Sequence, residues 1–138
     1  MKVVCPHYCL YTTRLSELSA LLDKYSNLYL DISFGAPEFA KDGFQRISDN
    51  QKIFRDFFTT YSSRLLFSTD IGATGYEGKD YQILAKVFQS YKDFLAKDGF
   101  SFPLGNYPAR IYKGFALDSD VLKKIYSENY RQLFSPAR

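Results

Sequence analysis

The chain has 138 residues, a length that accommodates one domain. Its 46% apolar and 24% charged residues exclude a disordered chain, a collagen-like chain and a disulfide-dense mini-protein. A net charge of +3 is too small to indicate a nucleic-acid partner, and no stretch approaches the roughly 18 apolar residues of a membrane span. Neither nucleic acid nor membrane is therefore expected as a partner. Aromatic content is the unusual feature: 13 Phe and 12 Tyr, with no Trp, predict a core or partner surface rich in rings.

Val3 and Val4 fall short of the apolar run of a signal peptide. Two cysteines, Cys5 and Cys9, do not make a disulfide framework, so a cytoplasmic location is expected. Val3-Val4-Cys5 reads as a short strand that stops at Pro6. Thr12 or Thr13 then caps a helix with Leu15, Leu18, Leu21, Leu22 and Tyr25 on one face. Residues 28–33 alternate, with Leu28, Leu30 and Ile32 on one side of a strand and Tyr29, Asp31 and Ser33 on the other. Gly35 and Pro37 mark a loop, and residues 39–47 are ambiguous, with room for a short helical turn.

Asp49 or Asn50 caps the next helix, striped by Ile53, Phe54, Phe57, Phe58 and Tyr61. Residues 64–70 read as a third strand, followed by a loop dotted with Gly72, Gly75 and Gly78. Helical spacing returns over residues 79–97, closed by Gly99 just past the helix end. Residues 100–115 carry two prolines and two glycines and read mostly as loop. A last helix begins at Asp118 or Ser119 and runs to about Phe134. Strand and helix alternate three times, with an extra helix at the C-terminus. That order predicts an α/β chain, a parallel βαβαβα unit with right-handed crossovers.

Sites in parallel α/β folds lie at the carboxyl ends of the strands. Three places qualify: His7 after the first strand, Asp31 and Ser33 in the second, and Asp70 at the end of the third. His7 is the only histidine. It reads either as a ligand or general base, or as an ordinary strand-end histidine. Asp70 reads as a metal ligand and proton acceptor or as a loop-bracing carboxylate. Asp31, on the polar side of its strand, reads as a functional residue or, more plainly, as one that braces a neighbouring loop.

Cys5, His7 and Cys9 lack the second ligand pair of a structural zinc site. The glycines at 72, 75 and 78 match no phosphate loop and read as a mobile loop. No Gly-x-Ser-x-Gly elbow supports a serine triad, and neither cysteine opens a helix as a papain-like nucleophile does. Tyr107 and Tyr112 suggest a small-molecule box, though loop aromatics more often pack.

At these same places the chain resembles the amidohydrolase-related, metal-dependent hydrolases, which are built on a (β/α)8 TIM barrel. Lys2-Val-Val-Cys-Pro-His7 is similar to the family's sixth strand, which ends in histidine. Tyr25-Ser-Asn-Leu-Tyr-Leu-Asp-Ile-Ser33 resembles the seventh. Arg64-Leu-Leu-Phe-Ser-Thr-Asp70 resembles the eighth, usually R-lLFGTD, with Ser68 in place of glycine. Ile125-Tyr-Ser-Glu-Asn129 and Leu133-Phe134 resemble the closing helix, with Tyr130 where alanine is usual.

The resemblance implies the C-terminal part of the barrel, about strands six to eight. It implies a divalent metal, zinc above others, with Asp70 as catalytic residue and ligand and His7 as ligand of a second metal or substrate contact. Asp31 and Ser33 would be substrate-facing or structural, and Asn129 would brace the last helix near strand eight. The substrate would be a small molecule, undergoing C–N or C–O hydrolysis or non-oxidative decarboxylation.

The family's His-x-His pair and strand-five histidine have no counterpart here. Zinc needs three protein ligands and a water, so the chain by itself is expected to be inactive. An alternative reading is a non-catalytic α/β fragment that acts through protein association. Either way, two unpaired sheet edges predict exposed apolar surface and self-association.

Overall fold

The computed structural model of the chain describes residues 1–35, 37–71, 81–102 and 110–135. They form two compact units. One comprises Met1–Ser33, Asp56–Ser68 and Asp118–Arg138; the other comprises Phe34–Arg55 and Thr69–Leu117.

The first unit is α/β, as the alternation of strand and helix predicts. Its sheet is parallel, in the order β1 (Val3–Cys5), β2 (Leu28–Asp31), β3 (Leu65–Leu66). Val3 pairs with Leu28, and Leu30 with Leu65. Strands consecutive in sequence are neighbours in the sheet. The β1–β2 crossover carries α1 (Leu15–Lys24), whose buried residues are Leu18 and Leu22. Leu30 and Ile32 are buried from the apolar side of the β2 alternation. Tyr8 is wholly buried, with its ring 6.1 Å from that of Phe58.

Helix α1 does not begin as expected. Arg14 occupies its N-cap, without a side-chain cap, and Thr12 and Thr13 lie upstream of it. Its C-terminal end is closed from a distance: the Arg64 guanidinium donates to the carbonyls of Leu22 and Ser26. A cation on carbonyls left over at a helix C-terminus satisfies them and opposes the helix dipole. Beside it the Tyr61 hydroxyl donates to Asp23 Oδ1 at 2.9 Å. Burial and the Asp23 carboxylate together push the Tyr61 phenol above its ordinary pKa.

The C-terminal helix is continuous but not uniform. It runs through α5 (Ser119–Lys123), a π-helical turn (Lys124–Glu128) and α6 (Asn129–Phe134). Asp118 sits at its N-cap, as the sequence predicts. The Ile125 carbonyl, in the widened turn, accepts the Phe67 N–H at 3.0 Å. One turn on, buried Asn129 donates both amide hydrogens to β3 and its approach: 2.7 Å to the Ser62 carbonyl and 2.8 Å to that of Leu65.

The second unit is a ring-packed core. The ambiguous stretch at 39–47 belongs to α2 (Pro37–Asp49), a helix of 13 residues rather than a short turn. Ala40, Phe44 and Ile47 are its buried stripe. Gly43 lowers helix propensity, but it is required. A Cβ there would lie 2.3 Å from the Phe34 ring. Phe44 is the hub of the cluster, with ring centroids of Phe34, Tyr91, Phe94, Phe100 and Phe102 between 4.9 and 5.3 Å away. Such tilted and edge-on pairs each add about 0.5–1.5 kcal/mol beyond area burial.

Helix α3 (Gln51–Thr60) follows directly, its residues to Arg55 belonging to the second unit and those from Asp56 to the first. Phe54, Phe57 and Phe58 are buried as expected, whereas Ile53 is exposed. Helix α4 (Tyr81–Ala96) buries Val87, Tyr91, Phe94 and Leu95. The expected loop at 100–115 contains instead an antiparallel pair, β4 (Gly99–Ser101) and β5 (Ile111–Lys113). Phe100 and Tyr112 are opposite each other and stack at 5.5 Å.

Gly99 is therefore a strand residue and not the cap of α4. The last carbonyls of α4 are met by a distant segment: Phe115 donates to Phe94, Leu117 to Leu95 and Ala116 to Lys97. Gly114 allows that approach, because a Cβ there would stand 2.1 Å from the Lys97 carbonyl oxygen. The glycine loop at 72–78 and Tyr107 lie outside the described residues.

Candidate functional site

Strand β1 ends at Cys5, and Pro6 supplies no N–H to continue the ladder. The chain then turns left-handed for four residues. His7, Tyr8, Cys9 and Leu10 have φ of 53°, 53°, 53° and 61°. None is Gly, Asn or Asp, and the left-handed region costs an ordinary L-residue about 1–2 kcal/mol. Several contacts restrain the turn. Cys9 N–H donates to Pro6 O at 2.9 Å, Tyr11 N–H donates to Tyr8 O at 3.0 Å, and Tyr8 is buried.

The fourth restraint corrects an expectation. Cys5 and Cys9 are joined in a disulfide, with their Cα atoms 5.3 Å apart. That separation lies in the usual range for a bridge. With both cysteines paired, cysteine usage no longer argues for a cytoplasmic location, and a zinc reading of Cys5 and Cys9 loses its thiolates. No helix among the described residues is long and apolar enough to cross a membrane.

The turn delivers His7 to the end of β2. His7 Nδ1 and Ser33 Oγ share a hydrogen bond of 2.8 Å, whose donor depends on the imidazole tautomer. Ser33 is fully buried, and its backbone N–H donates to Asp31 Oδ1 at 2.7 Å. This is the local side-chain turn that aspartate favours at a strand end. Three predicted site residues therefore form one connected set. Asp31 shapes the turn that presents Ser33, and Ser33 fixes the orientation of the His7 ring. The bracing role read for Asp31 is the one this geometry displays.

Asp70 belongs to the other unit, which begins at Thr69 along this part of the chain. It is exposed and sits in the left-handed region at φ 51°, a conformation that aspartate tolerates. The expected strand at 64–70 is shorter than its apolar run. β3 covers only Leu65–Leu66, because the Phe67 N–H turns to the Ile125 carbonyl. Asp70 is thus a loop residue four positions past β3 rather than a strand-end residue.

Among the described residues, no group of three or more His, Cys, Asp and Glu side chains could hold a metal ion. A catalytic zinc needs three protein ligands besides its water. The described residues do not by themselves fit the metal that the sequence resemblance implies. Tyr112, half of the suggested aromatic box, is buried in the second unit. Comparison of the chain with protein-family models, with curated proteins and with solved structures finds no match.

The sequence reading missed the Cys5–Cys9 bridge and the His7–Ser33 bond. The signal for the first was available. Two cysteines four apart, with a proline between them, can close a tight turn. The second had none, since 26 residues separate the partners.

Proposed function

We propose that this chain is the C-terminal part of an amidohydrolase-related (β/α)8 barrel. Within the complete protein it serves hydrolysis of a C–N or C–O bond, or non-oxidative decarboxylation, of a small molecule. The carrying observation is the sheet order. Three consecutive strands, all parallel and each beside the next, are what one sector of such a barrel requires. His7 follows the first strand and Ser33 the second, on the loops where such barrels keep their chemistry. Asn129 supports the reading too, since it ties the C-terminal helix to β3 as the resemblance implies.

In this reading Asp70 is a ligand of a divalent metal, zinc, whose other ligands lie outside the chain, and His7 binds a second metal or contacts substrate. Asp70 is also the proton acceptor. Ser33 holds the His7 ring, and the 138-residue chain alone is inactive. A cytoplasmic setting remains part of the proposal. The test is to read the coding sequence upstream of the Met1 codon. An in-frame His-x-His, followed by a further histidine before Met1, supports the proposal. An upstream stop codon, or a frame lacking these histidines, overturns it.

A second reading has its own observation. β1 has a strand neighbour on one side only among the described residues, and Val3 and Val4 on it are 38% and 39% exposed. An open apolar edge invites pairing with another chain. In this reading the protein is a non-catalytic α/β fragment that self-associates. Sedimentation should then give a species heavier than 16.0 kDa, reduced by Val4→Lys. A monomer at all concentrations refutes it.

A further inference from the structure

We propose that the Cys5–Cys9 disulfide is a redox-responsive clasp that sets the position of the His7 imidazole. The bridge closes a ring of five residues, Cys5-Pro6-His7-Tyr8-Cys9, with His7 at its centre. Every residue from His7 to Leu10 has positive φ. A left-handed run of this length is unfavourable for side chains of these types, so it persists only under restraint. Two backbone hydrogen bonds and the burial of Tyr8 supply part of that restraint. The covalent part comes from the bridge. What the turn accomplishes is the 2.8 Å bond between His7 and Ser33, across two strand ends.

The clasp is reachable. Cys5 and Cys9 are both half-buried, and they are flanked by exposed Pro6 and by Leu10, which is 79% exposed. A dithiol reductant supplies the chemistry. Its thiolate attacks one bridge sulfur, the Cys5–Cys9 S–S bond breaks, and a mixed disulfide forms. The released cysteine leaves as a thiolate and takes up a proton. The reductant's second thiol then displaces the remaining cysteine, which also ends as a thiol. The protein has gained two electrons and two protons, and the reductant has become a disulfide. With the ring open, the turn relaxes toward negative φ and His7 separates from Ser33. Oxidation reverses both events. The inference depends on the turn alone and holds whether or not the chain belongs to a hydrolase.

His7 is the only histidine, so one imidazole system appears in a long-range proton–nitrogen NMR spectrum. The test records it for the oxidised chain, after reduction with excess dithiothreitol, and after reoxidation with oxidised glutathione. All spectra are taken at one pH, well above the ordinary histidine value of about 6.5. In the oxidised chain the ring nitrogens should report one fixed tautomer. Reduction should move them to the averaged shifts of an unrestrained histidine, and reoxidation should restore them.

Ser33→Ala should lose the fixed tautomer while iodoacetamide still fails to label either cysteine. Cys9→Ser should show the reduced spectrum under all conditions. Should that variant not fold, the chemically reduced wild-type chain carries the same comparison. Identical imidazole shifts before and after reduction would overturn the proposal. So would alkylation of both cysteines in protein that has never met a reductant.

Discussion

Asn129→Ala is the most informative single substitution in the first unit. Asn129 is 1% exposed and donates to two carbonyls, Ser62 O at 2.7 Å and Leu65 O at 2.8 Å. Alanine removes both donors and leaves the two carbonyls without them. A typical hydrogen bond contributes about 1 kcal/mol net, and a buried group left unsatisfied costs about 1–3 kcal/mol. Two such groups give an expected loss of about 2–4 kcal/mol, a large share of a total stability of about 5–15 kcal/mol.

Urea unfolding followed by circular dichroism measures this loss. With a slope of about 1–3 kcal/mol per molar, the midpoint should fall by about 1–2 M. Asn129→Asp adds a sharper comparison. At neutral pH its carboxylate only accepts, and it would face two carbonyl oxygens. It should be less stable than the alanine variant at neutral pH and recover part of the difference in acid, where the protonated carboxyl can donate once. An alanine variant that unfolds with wild type, or an aspartate variant as stable as wild type at neutral pH, would refute the anchor.

Two further predictions concern the second unit. Gly114→Ala places a Cβ 2.1 Å from the Lys97 carbonyl oxygen and 3.0 Å from that of Phe94. Both are backbone atoms, so the segment capping α4 must move; thermal melting should show a loss of several degrees at least, and an unchanged melting temperature would contradict that packing. At Asp93, burial raises the carboxyl pKa, but hydrogen bonds from Lys97 and Gln89 outweigh it and hold the group below its ordinary value. A depressed folded value means stability present above the unfolded pKa and lost as pH falls through the folded one. The Lys97 end of the pair is well exposed. Asp93→Asn should therefore cost only about 0.3–0.5 kcal/mol at neutral pH. That difference should begin to fade as pH falls through the ordinary aspartate value of about 3.9 and vanish below the depressed folded one, and a difference that stays constant in paired acid melts would contradict it.

What was legible in the sequence follows from the range of the forces involved. β1, α1, β2 and α4 announce themselves by apolar periods that a single element satisfies alone. The length of β3 does not, because it is decided by the Ile125 carbonyl, nearly sixty residues away in the chain. Helix α2 was obscured by Gly43, which is costly locally and required by the Phe34 ring. β4 and β5 were hidden among prolines and glycines, since the pairing of Phe100 with Tyr112 is a tertiary choice. The candidate site divides in the same way. His7, Asp31 and Ser33 stand where the strand ends predicted them. The hydrogen bonds that connect them, and the bridge that shapes the His7 turn, depend on contacts across strands or on backbone handedness. Spacing alone does not encode either.

The proposed function makes Asp70 a metal ligand whose fellow ligands lie outside this chain. Zinc stoichiometry measured by equilibrium dialysis tests it most directly, on the 138-residue chain and on the product of an in-frame upstream extension where one is encoded. No tightly bound zinc is expected in the short chain. Stoichiometric zinc is expected in the longer product, lost in Asp70→Ala. A longer product without zinc, or one whose zinc is indifferent to Asp70→Ala, would contradict it. So would stoichiometric zinc in the short chain.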